Sequence, residues 1–304
     1  VYLYQEKYTE AEKLLQELTC RGEFSGNTPE YKLLKNFGDV WSMDHNNSEE
    51  SLFEVQTNND ISYNLGERIS VVCGSRNDGG WAWGLPTSHL EKAFKDAGDD
   101  ERRKWTIIKH GEAVQGDPDV TSYTVKPEEH KSPRVTRKLY IPVSKRPKPY
   151  DAPHIPLNYR LLRYADILLM YAEVENALGN DGEARWALNE VRVDLSEVTA
   201  SGTALRDAIR LERRLELALE NNRLFDLRRW KDDNGKAAIC NVMGTNGTFV
   251  KYNLEQSTDN DEKNNQIENS NKGITFKEGR DELFPIPTSE VTMSNGSIVQ
   301  NPGY

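Results

Sequence analysis

Trp81 and Trp83 stand two residues apart in CGSRNDGGWAWGLPTS, residues 73–88, with Gly79, Gly80, Ala82 and Gly84 around them. In extended chain a two-residue step puts both indoles on one side, and small neighbours leave their faces uncrowded. Flat apolar rings suit the C–H faces of a sugar. Arg76, Asn77 and Asp78, just before them, carry the donors and acceptors that hydroxyls need. The same two rings would also serve as packing beneath the loop, because tryptophan is usually well buried. Trp41 in DVWSMDHNN and Tyr63 in NDISYNLG lie in polar surroundings and are further candidate platforms.

The acids suggest a different chemistry. In ERRLELALENNRLFDLRRW, Glu216 and Glu220 fall four residues apart and share one helix face. Hydrolysis of a glycosidic bond needs two carboxylates on opposite sides of the sugar, an arrangement one face does not provide. The neighbouring Arg213, Arg223, Asp226, Arg228 and Arg229 instead fit a helix end tied to its surroundings by charged hydrogen bonds. His45, His89, His110, His130 and His154 are scattered, and Cys20, Cys73 and Cys240 lie far apart without a C-x-x-C. Asp259 and Asp261 resemble part of a calcium loop, but its central glycine is missing, which leaves a solvated polar loop. Nucleophile-elbow, phosphate-loop and dinucleotide-binding patterns are missing too. The reading is of no catalytic residues, no metal site and no cofactor.

Charge narrows the partners. With 49 acidic against 39 basic residues, the net charge of -10 works against nucleic acid, which is bound by releasing counterions with Lys and Arg. Neutral or cationic ligands are easier. A chain of 304 residues is long enough to bury a large core as one unit.

The elements that must position these side chains read as helices. RLLRYADILLMYAEVENALG, residues 160–179, is long enough to span a bilayer, but Arg160, Arg163, Asp166, Glu173 and Glu175 argue against insertion. Arg163, Asp166, Glu173 and Asn176 form one polar stripe, with Leu162, Ala165, Leu168, Leu169, Tyr171 and Ala172 around the rest, so this helix needs neighbours on several sides. Gly179 and Asn180 stop it, Asp181 caps the next, and Ala184, Ala187, Leu188 and Val191 give that second helix an apolar face. A third, longer helix is expected from Thr203 to Trp230, with Leu205, Ile209, Leu215 and Leu219 at helical spacing. Ser88 and Glu91 read as a capping box for a helix running to Ala97, and the Pro-rich stretch 142–156 as an extended connector. The opening VYLYQEKYTEAEKLLQEL reads as the middle of a helix, with Tyr4, Tyr8, Ala11, Leu15 and Leu18 in register and neither an initiator Met nor a cap. The expectation is therefore the C-terminal part of a longer protein, with any targeting signal elsewhere. Helix pairs with alanine at close contacts are in the style of tetratricopeptide arrays, although no strict 34-residue period is visible.

Four blocks, LNYRLLRYADILLMYAEVENALG, LNEVR, LRDAIRLERRLELALENNRLFDLRRW and LFPIPTSEVTMSNGSIVQNPGY, follow in this order. Together with EESLFEVQTNN and GWAWGLPTSHLEKAFKDAGDDERRKWTI upstream, they resemble the SusD/RagB family of outer-membrane nutrient-binding lipoproteins of Bacteroidetes. The family's usual N-terminal half has no counterpart here, and the stretch from about Cys240 to Glu278 matches no block. The resemblance implies a mainly α fold: a tetratricopeptide-like helical scaffold with long irregular loops and few short strands. It implies one SusD-like domain over residues 1–304, with helical scaffold at 1–19 and 157–230, a loop-rich ligand-binding region at 40–150 and an irregular region at 231–304. It further implies capture of an oligosaccharide or polysaccharide without catalysis, delivery to a SusC-type TonB-dependent transporter, and a surface position on the outer membrane through a lipid anchor in the missing part. The alternatives are a family member that takes a non-glycan nutrient such as peptide, or a helical scaffold that binds only a protein partner.

Overall fold

A helix that is apolar over most of its circumference is stable only when neighbours cover it on several sides. The computed structural model, which describes residues 1–63, 66, 68–125, 132–192, 195–252 and 275–304, buries most of the one at 164–177 and leaves Glu173, Asn176 and Ala177 towards the surface. The chain divides into two compact units, Val1–Asn221 and Asn222–Tyr304. In chain order the first contains α1 (Tyr8–Thr19), β1 (Ser51–Val55), α2 (Arg68–Cys73), α3 (Ser88–Asp96), α4 (Asp100–Thr106) and β2 (Ile107–Lys109). It continues with β3 (Arg134–Thr136), β4 (Tyr159–Arg163), α5 (Tyr164–Ala177), α6 (Asp181–Val191) and α7 (Gly202–Glu216). The second contains α8 (Arg223–Arg229), α9 (Ala238–Met243), α10 (Thr248–Lys251) and α11 (Thr288–Met293). The described chain is mainly helical, with few and short strands.

α1, α6 and α7 all pack on α5. Leu168, Leu169, Tyr171 and Ala172 of α5 meet Leu15 of α1, Ala184, Ala187 and Leu188 of α6, and Leu205 and Ile209 of α7 in one buried cluster. Ala165, Ala172, Ala184 and Ala187 have no exposed surface, so the helices approach backbone to backbone at those points. Each fully buried leucine here contributes roughly 1.5–3 kcal/mol. The irregular segments have smaller cores of their own. Ile108, Val114, Tyr123, Val125, Val135 and Tyr140 pack around the antiparallel pair β2–β3, and Phe94 and Ile107 pack with Leu215 and Ala218.

Several boundaries differ from the sequence expectations. The segment 159–163 is a strand, paired antiparallel with β1 through Ser51↔Arg163, Phe53↔Leu162 and Glu54↔Arg160, so the helix starts at Tyr164. Pairing with β1 turns Arg160 and Arg163 inward onto acids. At the N-terminus, left-handed Glu6 separates a short turn at Leu3–Gln5 from α1. Thr87 caps α3, its hydroxyl accepting from the Leu90 amide, whereas Glu91 is used by Lys109 and Arg134. Asp181 does not cap α6 but accepts from the Gly202 amide. The long third helix stops at Glu216, because the Glu216 carbonyl accepts from Lys138 Nζ and Arg163 Nη2 at 2.8 and 2.9 Å, and Leu219 and Asn221 turn left-handed just beyond.

The same residues form a buried ionic node. Arg163 at the end of β4 pairs with Glu50, Glu216 and Glu220 at 2.9, 2.6 and 2.8 Å. Arg102 of α4 reaches Asp99 and Glu216 at 2.6 and 2.7 Å and also pairs with Glu212. Lys138 meets Glu220 at 2.6 Å. Buried charges persist only where paired and hydrogen-bonded, and this node joins α4, β4, α7 and the segment at 138 into one frame. In the second unit, Asp226 pairs with Arg229 at 2.8 Å inside α8, and Gln300 exchanges hydrogen bonds with the backbone of Ile286.

Candidate functional site

The exposed tryptophans are held by main chain. A helix leaves its last carbonyls without intrahelical partners. At the end of α2 the Trp81 amide donates to Val71 at 2.7 Å, Trp83 to Val72 at 2.9 Å and Ala82 to Gly74 at 2.9 Å. The Gly80 amide closes the loop onto the Ser75 carbonyl at 2.8 Å. This hook explains two glycines. A Cβ on Gly80 would stand 2.3 Å from the Gly74 carbonyl oxygen, and one on Gly74 would stand 2.5 Å from that of Ser70.

Extended chain was the expectation for the pair, but Ala82 between them adopts φ +58°, a left-handed conformation. The indoles meet edge to face, with centroids 6.0 Å apart and planes inclined by 62°. Trp81 is 48% exposed and Trp83 62%, so each offers a ring to solvent. Together they make an angled aromatic corner.

Asn77 and Asp78 anchor this corner. Asp78 accepts from the Tyr123 hydroxyl at 2.6 Å and pairs with Arg146 at 2.9 Å, and Asn77 donates to the Thr124 carbonyl. Burial, reinforced by the Asp78 charge, pushes the Tyr123 phenol well above its ordinary range, so it stays a donor. Arg146 lies over the rings of Tyr150 and Tyr140 at 4.8 and 5.2 Å. Arg76 is exposed on the short turn Arg76–Asp78. Tyr150, half-exposed beside Arg146, is an aromatic that the sequence reading passed over as part of a connector. Its only sequence signal was an aromatic residue in a Pro-rich stretch.

The other two candidates lie elsewhere. Tyr63 is 71% exposed, and among the described residues no ring contact joins it to the tryptophans. Trp41 is 6% exposed and presents no face to solvent. Its ring lies beneath the cations of Lys138 and Arg163, at 4.6 and 5.5 Å, and packs edge-on against Phe37.

The acids of α7 are not arranged for hydrolysis. Burial alone would raise the Glu216 carboxyl, but Arg163, Arg102 and Lys138 hold it down at about 2. A carboxyl so poised does not carry a proton near neutral pH, as a general acid must. Among the described residues no group of three or more His, Cys, Asp or Glu side chains could hold a metal ion. His130, Asp259 and Asp261 lie outside the described residues. No described helix is long and apolar enough to cross a membrane.

A scaffold of packed helices carrying an irregular region with an exposed aromatic corner defines a class of protein, and comparison specifies it. The model of the SusD family matches residues 40–304, and the chain belongs to that family. The chain is 28% identical over 159 residues to the SusD-like protein P2 of Formosa agariphila, a match covering 48% of this chain and 26% of that protein. Its backbone is similar to that of a laminarin-binding SusD-like protein, with 26% identity and a TM-score of 0.67, over 100% of this chain and 60% of that one. It is also similar to surface glycan-binding protein A of Bacteroides thetaiotaomicron in complex with laminarihexaose, with 22% identity and a TM-score of 0.66, over 99% of this chain and 61% of that one. The chain thus spans about three fifths of the length of these solved structures and a quarter of the curated relative.

Proposed function

We propose that this chain belongs to a surface glycan-binding protein that captures an oligosaccharide or polysaccharide without cleaving it. The observation that carries this reading is the exposed Trp81–Trp83 corner, locked to the end of α2 by three backbone hydrogen bonds. A rigid pair of rings gives contact area at little entropic cost, and planes inclined by 62° fit a curved chain of sugars better than a flat one. Arg76 and Tyr150 stand beside the corner as hydrogen-bonding partners, and Tyr63 is a candidate for an outlying contact. Asn77 and Asp78 act on the ligand mainly by fixing the loop. The binding of laminarin and laminarihexaose by two proteins of similar fold supports a glucan as the first ligand to try.

Membership of the SusD family supports a position at the outer-membrane surface and a SusC-type TonB-dependent transporter as the partner that receives the ligand. The test is calorimetric titration of the protein against a panel of neutral glycans that includes laminarin. Trp81→Ala and Trp83→Ala are each expected to weaken binding about tenfold, the loss of one stacked ring. A panel without any binder, or a binder indifferent to both substitutions, would remove the proposal. Binding of peptides in place of sugars would move the chain to the non-glycan branch of the family. Co-purification of a β-barrel partner from the native outer membrane tests delivery separately.

A further inference from the structure

A second site, separate from the tryptophan corner, is marked by a buried cation that no described carboxylate approaches to ion-pair distance. Arg137 is 3% exposed. Its Nε donates to the Gln115 carbonyl at 2.7 Å and its Nη1 to the Tyr140 carbonyl at 3.2 Å. The remaining N–H groups, including both on Nη2, have no acceptor among the described residues, and no carboxylate there pairs with it. This contrasts with Arg102, Arg160, Arg163 and Arg213, each of which has an acid within ion-pair distance. A buried guanidinium without a paired anion is costly, and two carbonyls, the aromatic faces and the more distant Asp117 offset only part of that cost here. Trp105 and Tyr140 lie under it at 4.8 and 5.4 Å. Burial lowers its pKa to about 10, with Tyr140 and Asp117 opposing part of the effect.

Arg137 lines a cavity of about 170 Å³, shared with Trp41, Trp105, Asp39, Ser42 and Lys145. The buried indole Nε1 of Trp41 also lacks an acceptor. Lys145 is engaged at the surface by Asp44. Gly116 packs directly against Trp105 and Arg137, since a Cβ there would stand 2.9 Å from Nη2 and 2.4 Å from the Trp105 ring, so any larger residue would push on the guanidinium and its aromatic neighbour.

We infer that this cavity binds a single carboxylate, with Nη1 and Nη2 of Arg137 forking onto its two oxygens and the rings of Trp105 and Tyr140 flanking it. The planar fork matches a carboxylate bidentately. Asp39 on the cavity wall and the net charge of -10 oppose a doubly charged group such as phosphate or sulfate. The carboxylate is carried either by a free small acid or by an acidic sugar, and the chemistry at Arg137 is the same for both.

The test uses the intact chain carrying Trp81→Ala and Trp83→Ala, so that the corner is silent, and follows the fluorescence to which Trp41 and Trp105 report during titration with acetate, glucuronate and glucose. Saturable binding of acetate or glucuronate with no response to glucose is expected, with dissociation constants on the order of 1 mM. Tighter binding of glucuronate points to an acidic sugar, and tighter binding of acetate to a small free acid. Asp39→Asn, a half-exposed position, is expected to tighten carboxylate binding about threefold to tenfold by removing a like charge. Arg137→Gln is expected to abolish it, and if that variant fails to fold, Asp39→Asn decides alone. An equal response to glucose, no response to either acid, or indifference to Asp39→Asn overturns the inference. Loss of glycan binding in Trp81→Ala bears on the corner only and leaves this cavity untouched.

Discussion

At the scale of single residues, the position of the aromatic corner depends on backbone more than on the tryptophans themselves. Gly80→Ala keeps both indoles but pushes a methyl against the Gly74 carbonyl oxygen, which cannot yield as a flexible side chain would. The expected outcome is glycan affinity reduced at least as far as in Trp81→Ala, together with loss of the circular-dichroism couplet from the two indoles. An unchanged couplet would show that the hook is dispensable. The pair was legible in the sequence as two aromatics among glycines. Its edge-to-face geometry was not, because left-handed Ala82 is a tertiary choice that the Trp81 and Trp83 amides make in satisfying α2. Trp41 misled for the converse reason: its neighbours in the chain are polar, whereas its neighbours in space are Lys138 and Arg163 from distant segments.

Among the elements, α5 carries the scaffold and α3 supports the loop. Leu169→Ala removes a side chain with no exposed surface at the centre of four helices and is expected to cost about 2–5 kcal/mol in chemical denaturation. Thr87→Ala, which removes the hydroxyl that receives the Leu90 amide, is expected to cost about 1 kcal/mol in the same measurement. If the two losses were equal, α5 would not be the central element. All four scaffold helices, α1, α5, α6 and α7, were readable from the spacing of apolar residues, since 3.6-residue periodicity is a local property. Helix ends were harder. The strand at 159–163 depends on β1, which lies more than a hundred residues earlier, and α7 stops because side chains from two other segments take its last carbonyl.

For the whole molecule, the ionic node sets the response to acid. The Glu216 carboxyl lies at about 2 in the folded chain, below its ordinary 4.5, so the folded state favours the ionised form. Its contribution to stability is complete above pH 4.5 and is lost as pH falls from there towards 2. Glu216→Gln leaves Arg163 and Arg102 short of an acid in the interior and is expected to cost about 3–5 kcal/mol at pH 7. Urea denaturation at pH 7, 4.5 and 3 checks both points: the difference between wild type and variant should shrink over the lower interval, and a difference constant with pH would remove Glu216 as its source. Family and fold class were readable at this scale from blocks of sequence. The node was not, since its acids and bases lie scattered between Glu50 and Glu220. The hook on α2 also bears on how such a protein could change its diet. Its bonds are made by main-chain amides, so the indoles at 81 and 83 can be exchanged for tyrosine or phenylalanine without disturbing what holds them, leaving selection free to tune appetite at two codons while the rest of the gene stays still.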